Sequence, residues 1–140
     1  MADKLEFASD AWFEALKALL PKYAAGAGPG LDLSLCEVFT GVPTHLDQHG
    51  DGVIAWHCRI KGDQVEFIHA ETDDCDYKTV IDYQTVLPLA RFVVTPDTRA
   101  EYEALGAAAA ASGKVKRTGD PSRIPPSFYN MHNDLAVRTL

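Results

Sequence analysis

Two stretches of alternating side chains, joined by a short polar turn, constrain the fold of this chain more than any other feature. In the first stretch, Val53 to Ile60, every second residue is apolar and lies on one face of a strand, namely Ile54, Trp56, Cys58 and Ile60. Lys61 to Gln64 forms the connection, and Val65 to Ala70 continues as a second extended segment. This pattern predicts an antiparallel β-hairpin.

An amphipathic helix precedes the strands. Ser9 is placed to cap its first turn, and Asp10 lies where the helix dipole favours a negative charge. One apolar stripe with helical spacing follows, formed by Trp12, Phe13, Leu16, Leu19, Leu20 and Tyr23. The glycine-rich segment Ala24 to Gly30 is predicted to end this helix and act as a connector.

Two further strands are predicted around the hairpin. Leu31 to Thr40 is extended, with Leu33, Leu35 and Phe39 on one face. A polar segment separates it from the hairpin, and a strand from about Asp76 to Tyr83 follows an acidic turn.

The second half of the chain is mainly helical. Thr85 to Phe92 has helical spacing, and Thr95-Pro96-Asp97 predicts the start of a longer helix that ends at Gly113. A short strand, Val115 to Thr118, and a final helix, Phe128 to Leu140, complete the order. Strands grouped before helices indicate an α+β fold, and the length fits one domain over residues 1–140.

Charge and composition exclude several classes of protein. With 13 Lys and Arg against 20 Asp and Glu, the net charge of −7 disfavours binding to nucleic acid or to an anionic membrane. The three cysteines have no metal-like spacing. Because we find no signal peptide and no stretch of about 18 apolar residues, we expect a cytoplasmic protein without stable membrane insertion.

Several motifs occur together between Asp76 and Asp120. Asp76 opens a strand, a short helix follows, and an alanine-containing helix from Tyr102 to Ala111 is closed by the sequence SGKVKRTGD, residues 112–120. This arrangement resembles the C-terminal half of the sterol carrier protein type 2 domain. The order of elements before it, one helix and then a hairpin-rich sheet, is similar as well.

The resemblance implies both an architecture and a function. It implies an antiparallel sheet of about five strands, covered by helices, with an apolar tunnel between sheet and helices. Such domains bind or transfer lipids, fatty acyl chains, sterols or terpene-like molecules, without catalytic residues or cofactors. A role accessory to a catabolic pathway is one context for a bacterial chain of this kind.

A tunnel requires apolar surface that other side chains leave unfilled. The small residues Ala107 to Ala111 either leave such a space or let their helix dock closely on the sheet. The candidate ligand-binding residues are Trp56, Phe67, His69, Phe92, Tyr102, Leu105, Ala108, Phe128 and Met131. For each of them alone, ordinary core packing is the competing interpretation.

The rival hypothesis is a small cofactor-free enzyme, an isomerase or hydrolase, with a buried acid or histidine in an apolar cavity, as in ketosteroid isomerase. Its candidate catalytic residues are His69, Asp76, Asp82 and Tyr83.

The histidines of the polar segment suggest metal binding only weakly. His45 and His49 have the spacing of a helical metal pair but lack a third ligand, so no metal site is predicted. For protein partners, a homodimer or docking on a catabolic enzyme stays open.

Overall fold

The computed structural model describes residues 4–140, so the first three residues lie outside the described part of the chain. In chain order the elements are α1 (Asp10–Ala27), β1 (Asp32–Thr40), β2 (Val53–Lys61), β3 (Gln64–Ile68), β4 (Tyr77–Asp82), α2 (Tyr83–Ala90), α3 (Arg99–Ala111), β5 (Val115–Gly119) and α4 (Ser127–Ala136). Short 3₁₀ turns occupy Thr44–Leu46 and Pro121–Arg123. The α+β class is confirmed.

Helix α1 begins as predicted and ends later than predicted. The Ser9 side chain accepts a hydrogen bond from the Trp12 N–H at 3.2 Å, which is the expected cap. The helix then continues through Ala24, which is completely buried, and stops at Gly28, whose φ of 107° is accessible to glycine. The prediction that Ala24 to Gly30 is entirely connector was therefore wrong, because the helix continues through Ala27 with Ala24 packed in the core.

The five strands form one sheet in the order β3-β2-β1-β4-β5. The predicted hairpin is β2 and β3, which pair antiparallel. However, β1 and β4 pair parallel, so the sheet is mixed and the expectation of an antiparallel sheet is corrected. The reason is the connection after β3, which crosses β2 and β1. Strand β4 therefore lies next to β1 and runs in the same direction.

This crossover, residues 69–76, lies over the sheet face opposite the helices. His57 on that face contacts the Ala70 carbonyl through Nδ1 at 2.6 Å. Lys78 pairs with Glu71 and with Asp73, which fastens the middle of the crossover. At its end the Asp76 N–H donates to the Ser34 carbonyl at 3.0 Å, and β4 starts there.

Helix α3 begins later than the capping signal indicated. The Thr95-Pro96-Asp97 segment forms a separate turn, in which the Thr98 N–H donates to the Thr95 carbonyl at 3.1 Å. Side-chain hydrogen bonds between Thr95 and Thr98 close this turn, and the helix starts at Arg99. A capping signal marks a turn and a helix start equally well, and here the turn came first.

The helices cover one face of the sheet unequally. Helix α1 packs against α4 and β3, and the buried side chains of both helices join the inner residues of the strands in one core. Helix α3 contacts only α2 and β5 among its stronger contacts, and Ala109 is its one buried residue. Between Lys4 and Leu140, no helix combines the length and apolar character needed to cross a bilayer.

Candidate functional site

A row of polar side chains crosses the sheet face that the helices cover. Glu37 on β1 pairs directly with Trp56 on β2 and with Thr79 on β4, and Thr79 pairs with Arg117 on β5. Directly paired residues lie on the same face of a sheet. We call Trp56, Glu37, Thr79 and Arg117 the polar row.

Glu37 occupies the centre of this row. Along β1 its neighbours on the same face are Leu35 and Phe39, which belong to the hydrophobic core or pack against it. Burial raises the pKa of the Glu37 carboxyl to about 7, while the Trp56 indole and the Arg117 charge act in the opposite direction. Glu37 has no ion pair among the pairs formed within residues 4–140.

Trp56 is the second unusual member of the row. The residue is 3% exposed, and its Nε1 has no hydrogen-bond partner in the part of the chain that the structure describes. Its ring stacks on Phe67, with centroids 5.4 Å apart and planes inclined by 15°. Phe67 in turn contacts the ring of Phe13 at 6.4 Å and that of His69 at 5.1 Å.

A second aromatic group lies on the helical side. The Tyr102 ring on α3 is 5.5 Å from Phe92 and 5.5 Å from His132 on α4. His132 Nε2 lies 2.8 Å from the Phe92 carbonyl, which can only accept, so Nε2 carries the proton. Burial lowers the pKa of His132, and the ring is therefore neutral near neutral pH.

Glu37 interacts electrostatically with a member of each aromatic group, Trp56 on the sheet and Tyr102 on α3. Burial is the main cause that raises the pKa of Tyr102, and the negative charge of Glu37 raises it further. Glu37 is thus near the Trp56 ring on the sheet and near Tyr102 on the opposite layer.

The structure divides the predicted ligand-binding residues among the two aromatic groups, the core and the surface. Trp56, Phe67, Phe92 and Tyr102 belong to the two aromatic groups, while Phe128 is buried and Met131 packs against the core. His69 is exposed but places its ring edge-on to Phe13 at 4.9 Å. Leu105 is 39% exposed and Ala108 is exposed as well, so these two face away from the core.

The residues predicted for the rival enzyme do not form a shared site. Asp76 accepts from the Ser34 N–H at 2.9 Å and pairs with Arg123 at 2.6 Å. Asp82 caps α2 by accepting from the Thr85 N–H at 3.2 Å. Tyr83 is buried with its hydroxyl 3.4 Å from the Phe7 carbonyl. Three of the four candidates therefore hold backbone segments in place.

His45 and His49 of the polar segment are both exposed. His45 contacts Glu6 at 2.7 Å on the surface. Residues 4–140 contain no cluster of three or more His, Cys, Asp or Glu side chains that could hold a metal ion.

The sequence analysis did not identify Glu37. The signal was present, because Leu33, Leu35 and Phe39 define an apolar face with a period of two, and position 37 belongs to it. A charged residue at a core position of an otherwise apolar strand face is a candidate for function, since buried charges are expensive.

The residues of segment 112–120 on which the family resemblance depends have structural roles. Ser112 and Gly113 end α3, with Gly113 at a φ of 77°. Gly119 pairs with Tyr77, and a Cβ at this position would lie 2.0 Å from the Asp76 carbonyl oxygen. The Asp120 side chain accepts from the Ser122 N–H at 2.9 Å. These residues shape the end of β5 and are evidence for the fold, not for a ligand.

Comparison with known proteins agrees with this architecture. No protein-family model matches the sequence, and no curated protein shows significant sequence similarity to it. Among solved structures, a conserved hypothetical protein from Thermus thermophilus, described as possibly a sterol carrier protein, superimposes with a TM-score of 0.55 at 13% identity, over 96% of this chain and 93% of that one. Sterol carrier protein domain 2 of Helicoverpa armigera gives a TM-score of 0.52 at 13% identity, over 98% and 97% of the two chains.

The chain therefore has the fold of sterol carrier protein type 2 domains. The resemblance inferred from residues 76–120 is confirmed at the level of the fold. At 13% identity the structural similarity shows the architecture only, so any ligand has to be inferred from the side chains of this protein.

Proposed function

We propose that this protein binds an apolar small molecule between the helix-covered face of the sheet and α3 and α4, and carries or presents it without transforming it. The fold supports this proposal, since solved structures with the same architecture include a sterol carrier protein domain. In this proposal the lipid, fatty acyl chain, sterol or terpene-like molecule lies against the aromatic rings on both sides of Glu37.

The single observation that carries the proposal is the environment of Glu37. Its side chain keeps part of its surface open, yet burial among protein atoms raises its pKa to about 7. A side chain on the outer surface would not be desolvated in this way. Tyr102 and His132 combine partial exposure with pKa values shifted by burial in the same manner. In this proposal these three side chains border the hollow that receives the ligand.

The weak packing of α3 supports the same interpretation. Ala109 is the one fully buried residue of this helix, and Tyr102 is its side chain packed against the core, so little buried apolar area is lost if the helix moves away from the sheet. An apolar molecule that entered beside α3 would replace solvent contact with contacts to Phe92 and Tyr102. In this proposal the candidates for the rival enzyme, His69, Asp76, Asp82 and Tyr83, have no catalytic role.

The test uses phenylnaphthylamine, a neutral dye that becomes fluorescent in apolar surroundings. Met131 on α4 packs against the core, whereas Tyr129 on the same helix is 49% exposed. In this proposal Met131 borders the hollow, so Met131→Trp adds volume there and is expected to weaken dye binding by about tenfold or more. Tyr129→Trp adds an indole outside it and is the matched control, expected to bind as the unchanged protein does.

Far-ultraviolet circular dichroism establishes that both variants are folded. Extraction of the purified protein followed by mass spectrometry looks for a co-purified lipid-like molecule. Lack of dye binding at micromolar concentration, or equal binding by the Met131→Trp and unchanged proteins, would overturn the proposal.

A further inference from the structure

We infer that the apolar ligand ends in a hydrogen-bond-donating head group, an alcohol or an amine, which Glu37 accepts at the centre of the polar row. This inference rests on the proposed function and adds the chemical class of the ligand. It depends on two polar side chains whose hydrogen-bonding capacity is not used up within the described part of the protein.

The first is Glu37 itself. It stands between Leu35 and Phe39 on the inner face of the central strand, where no ion pair within residues 4–140 compensates its charge. An ionised carboxylate only accepts hydrogen bonds, and an unpaired one in an apolar region is costly. An O–H or N–H that arrives with the ligand removes this cost, whereas an ether oxygen or a methyl group does not.

The second is Trp56, directly opposite Glu37 in the β1–β2 pair. Its buried Nε1 is unpartnered among the described residues, and the indole N–H is near enough to the Glu37 carboxyl to favour its charged form. The indole therefore favours the charged carboxylate from the β2 side, while no hydrogen bond among the described residues uses the accepting capacity of that carboxylate. Within residues 4–140, neither side chain has a structural hydrogen bond that would explain its presence in this strand pair.

The surrounding charges select against an anionic head group. Arg117 on β5 lies at the end of the polar row and is exposed, with Thr79 between it and Glu37. The other titratable groups that face Glu37 are Tyr102 on α3 and Cys58 on β2, and Glu37 raises the pKa of both. A fatty-acid carboxylate placed here would meet the Glu37 charge, while the cation of the row, Arg117, is separated from Glu37 by Thr79.

The experiment compares four molecules with the same chain and different heads: dodecanol, dodecylamine, dodecyl methyl ether and laurate. Each displaces phenylnaphthylamine from the protein at about pH 8, where a carboxyl with a pKa of about 7 is ionised. We expect dodecanol and dodecylamine to bind about tenfold more tightly than the ether or laurate, since hydrogen bonds to a charged acceptor are the strong ones. The difference between alcohol and amine shows whether the head is neutral or cationic.

Glu37→Gln tests the residue, and Glu66→Gln is its matched control. Glu66 is exposed on β3 and pairs with Arg59, outside the polar row. Glu37→Gln should abolish the preference for the amine. The affinities of dodecanol and its ether should then differ by no more than about threefold, because a neutral amide accepts a hydrogen bond more weakly than a carboxylate does. Glu66→Gln should keep the ranking of the unchanged protein.

The outcomes separate the two proposals. If the dye binds but laurate or the ether equals dodecanol, or if Glu37→Gln leaves the ranking unchanged, the head-group inference is wrong and the carrier function stands. If neither the dye nor any of the four molecules binds, the carrier function fails and the inference fails with it.

Discussion

Glu37 and Trp56 lie directly opposite each other in the antiparallel β1–β2 pair, on the face that the helices cover. A carboxyl group and an indole N–H thus meet in the middle of an apolar sheet surface. Both are polar groups without a complete set of partners among the described residues, and this pairing distinguishes the protein's interior from a core made only of hydrocarbon.

Replacement of Glu37 by Gln should change the pH dependence of stability. The pKa of Glu37 is raised from 4.5 to about 7, so the folded state holds its proton while the unfolded state has already lost it. Stability from this group is therefore complete below about pH 4.5 and is lost as the pH rises through 7. A shift of this size corresponds to at most about 3 kcal/mol.

Urea denaturation of both proteins between about pH 5 and pH 8 measures this effect. Glu37→Gln should be more stable than the unchanged protein at pH 8, by up to about 3 kcal/mol, and the gap should close toward pH 5. Glu66→Gln, which removes an exposed carboxylate, should show no such pH-dependent gap. A constant difference across the range would show that Glu37 is not desolvated.

Gly119 should not tolerate a side chain. Its φ is 107°, and an added Cβ would be 2.0 Å from the Asp76 carbonyl oxygen, so β5 would have to separate from β4. We expect Gly119→Ala to destabilise the protein by about 3 kcal/mol or more.

Gly106→Ala is the matched control for Gly119→Ala. Gly106 lies inside α3, and its added Cβ would meet no atom within 4 Å. Alanine should therefore stabilise this helix by about 0.5–1 kcal/mol. Thermal unfolding followed by circular dichroism measures both changes, and a mild effect of Gly119→Ala would contradict the tight β4–β5 contact.

Asp76 should contribute to stability through the segments it joins, not through catalysis. Its carboxylate accepts from the Ser34 N–H at 2.9 Å and pairs with Arg123 at 2.6 Å, and these contacts lower its pKa. Asp76→Ala should cost about 1–3 kcal/mol at neutral pH because the Ser34 donor loses its partner. Because the folded state lowers the Asp76 pKa, its carboxylate stabilises the fold at pH values above the usual aspartate pKa. The cost of Asp76→Ala should therefore shrink as the pH falls through the lowered pKa.

Asp74→Ala provides the comparison, because Asp74 is exposed in the same crossover and its carboxylate is not part of these contacts. Both variants should bind phenylnaphthylamine as the unchanged protein does. If Asp76→Ala abolished a chemical turnover while leaving stability unaffected, the enzyme hypothesis would replace this interpretation.

The elements that local sequence determined are those with strong periodicity. The alternation from Ile54 to Ile60 predicted β2 and its hairpin partner, and the stripe from Trp12 to Tyr23 predicted α1 with Ser9 as its cap. The motif from Ser112 to Asp120 indicated the fold through its family resemblance, and Ser112, Gly113, Gly119 and Asp120 within it meet local backbone requirements. These features depend on residues that are close together in the chain, so they can be predicted from the sequence without the tertiary structure.

The parallel pairing of β1 with β4 depended on the tertiary structure, because the crossover of residues 69–76 has no local signal for the strand beside which it returns. The same holds for the start of α3, where Thr95 forms a turn with Thr98 before the helix. The alternation of β1 places Glu37 on the apolar face, but only strand pairing brings Trp56 and Thr79 beside it and Arg117 into the same row. The desolvation of a side chain depends on all the atoms packed around it. Glu37 and Tyr102 are far apart in the chain, so only folding brings together the atoms that desolvate them.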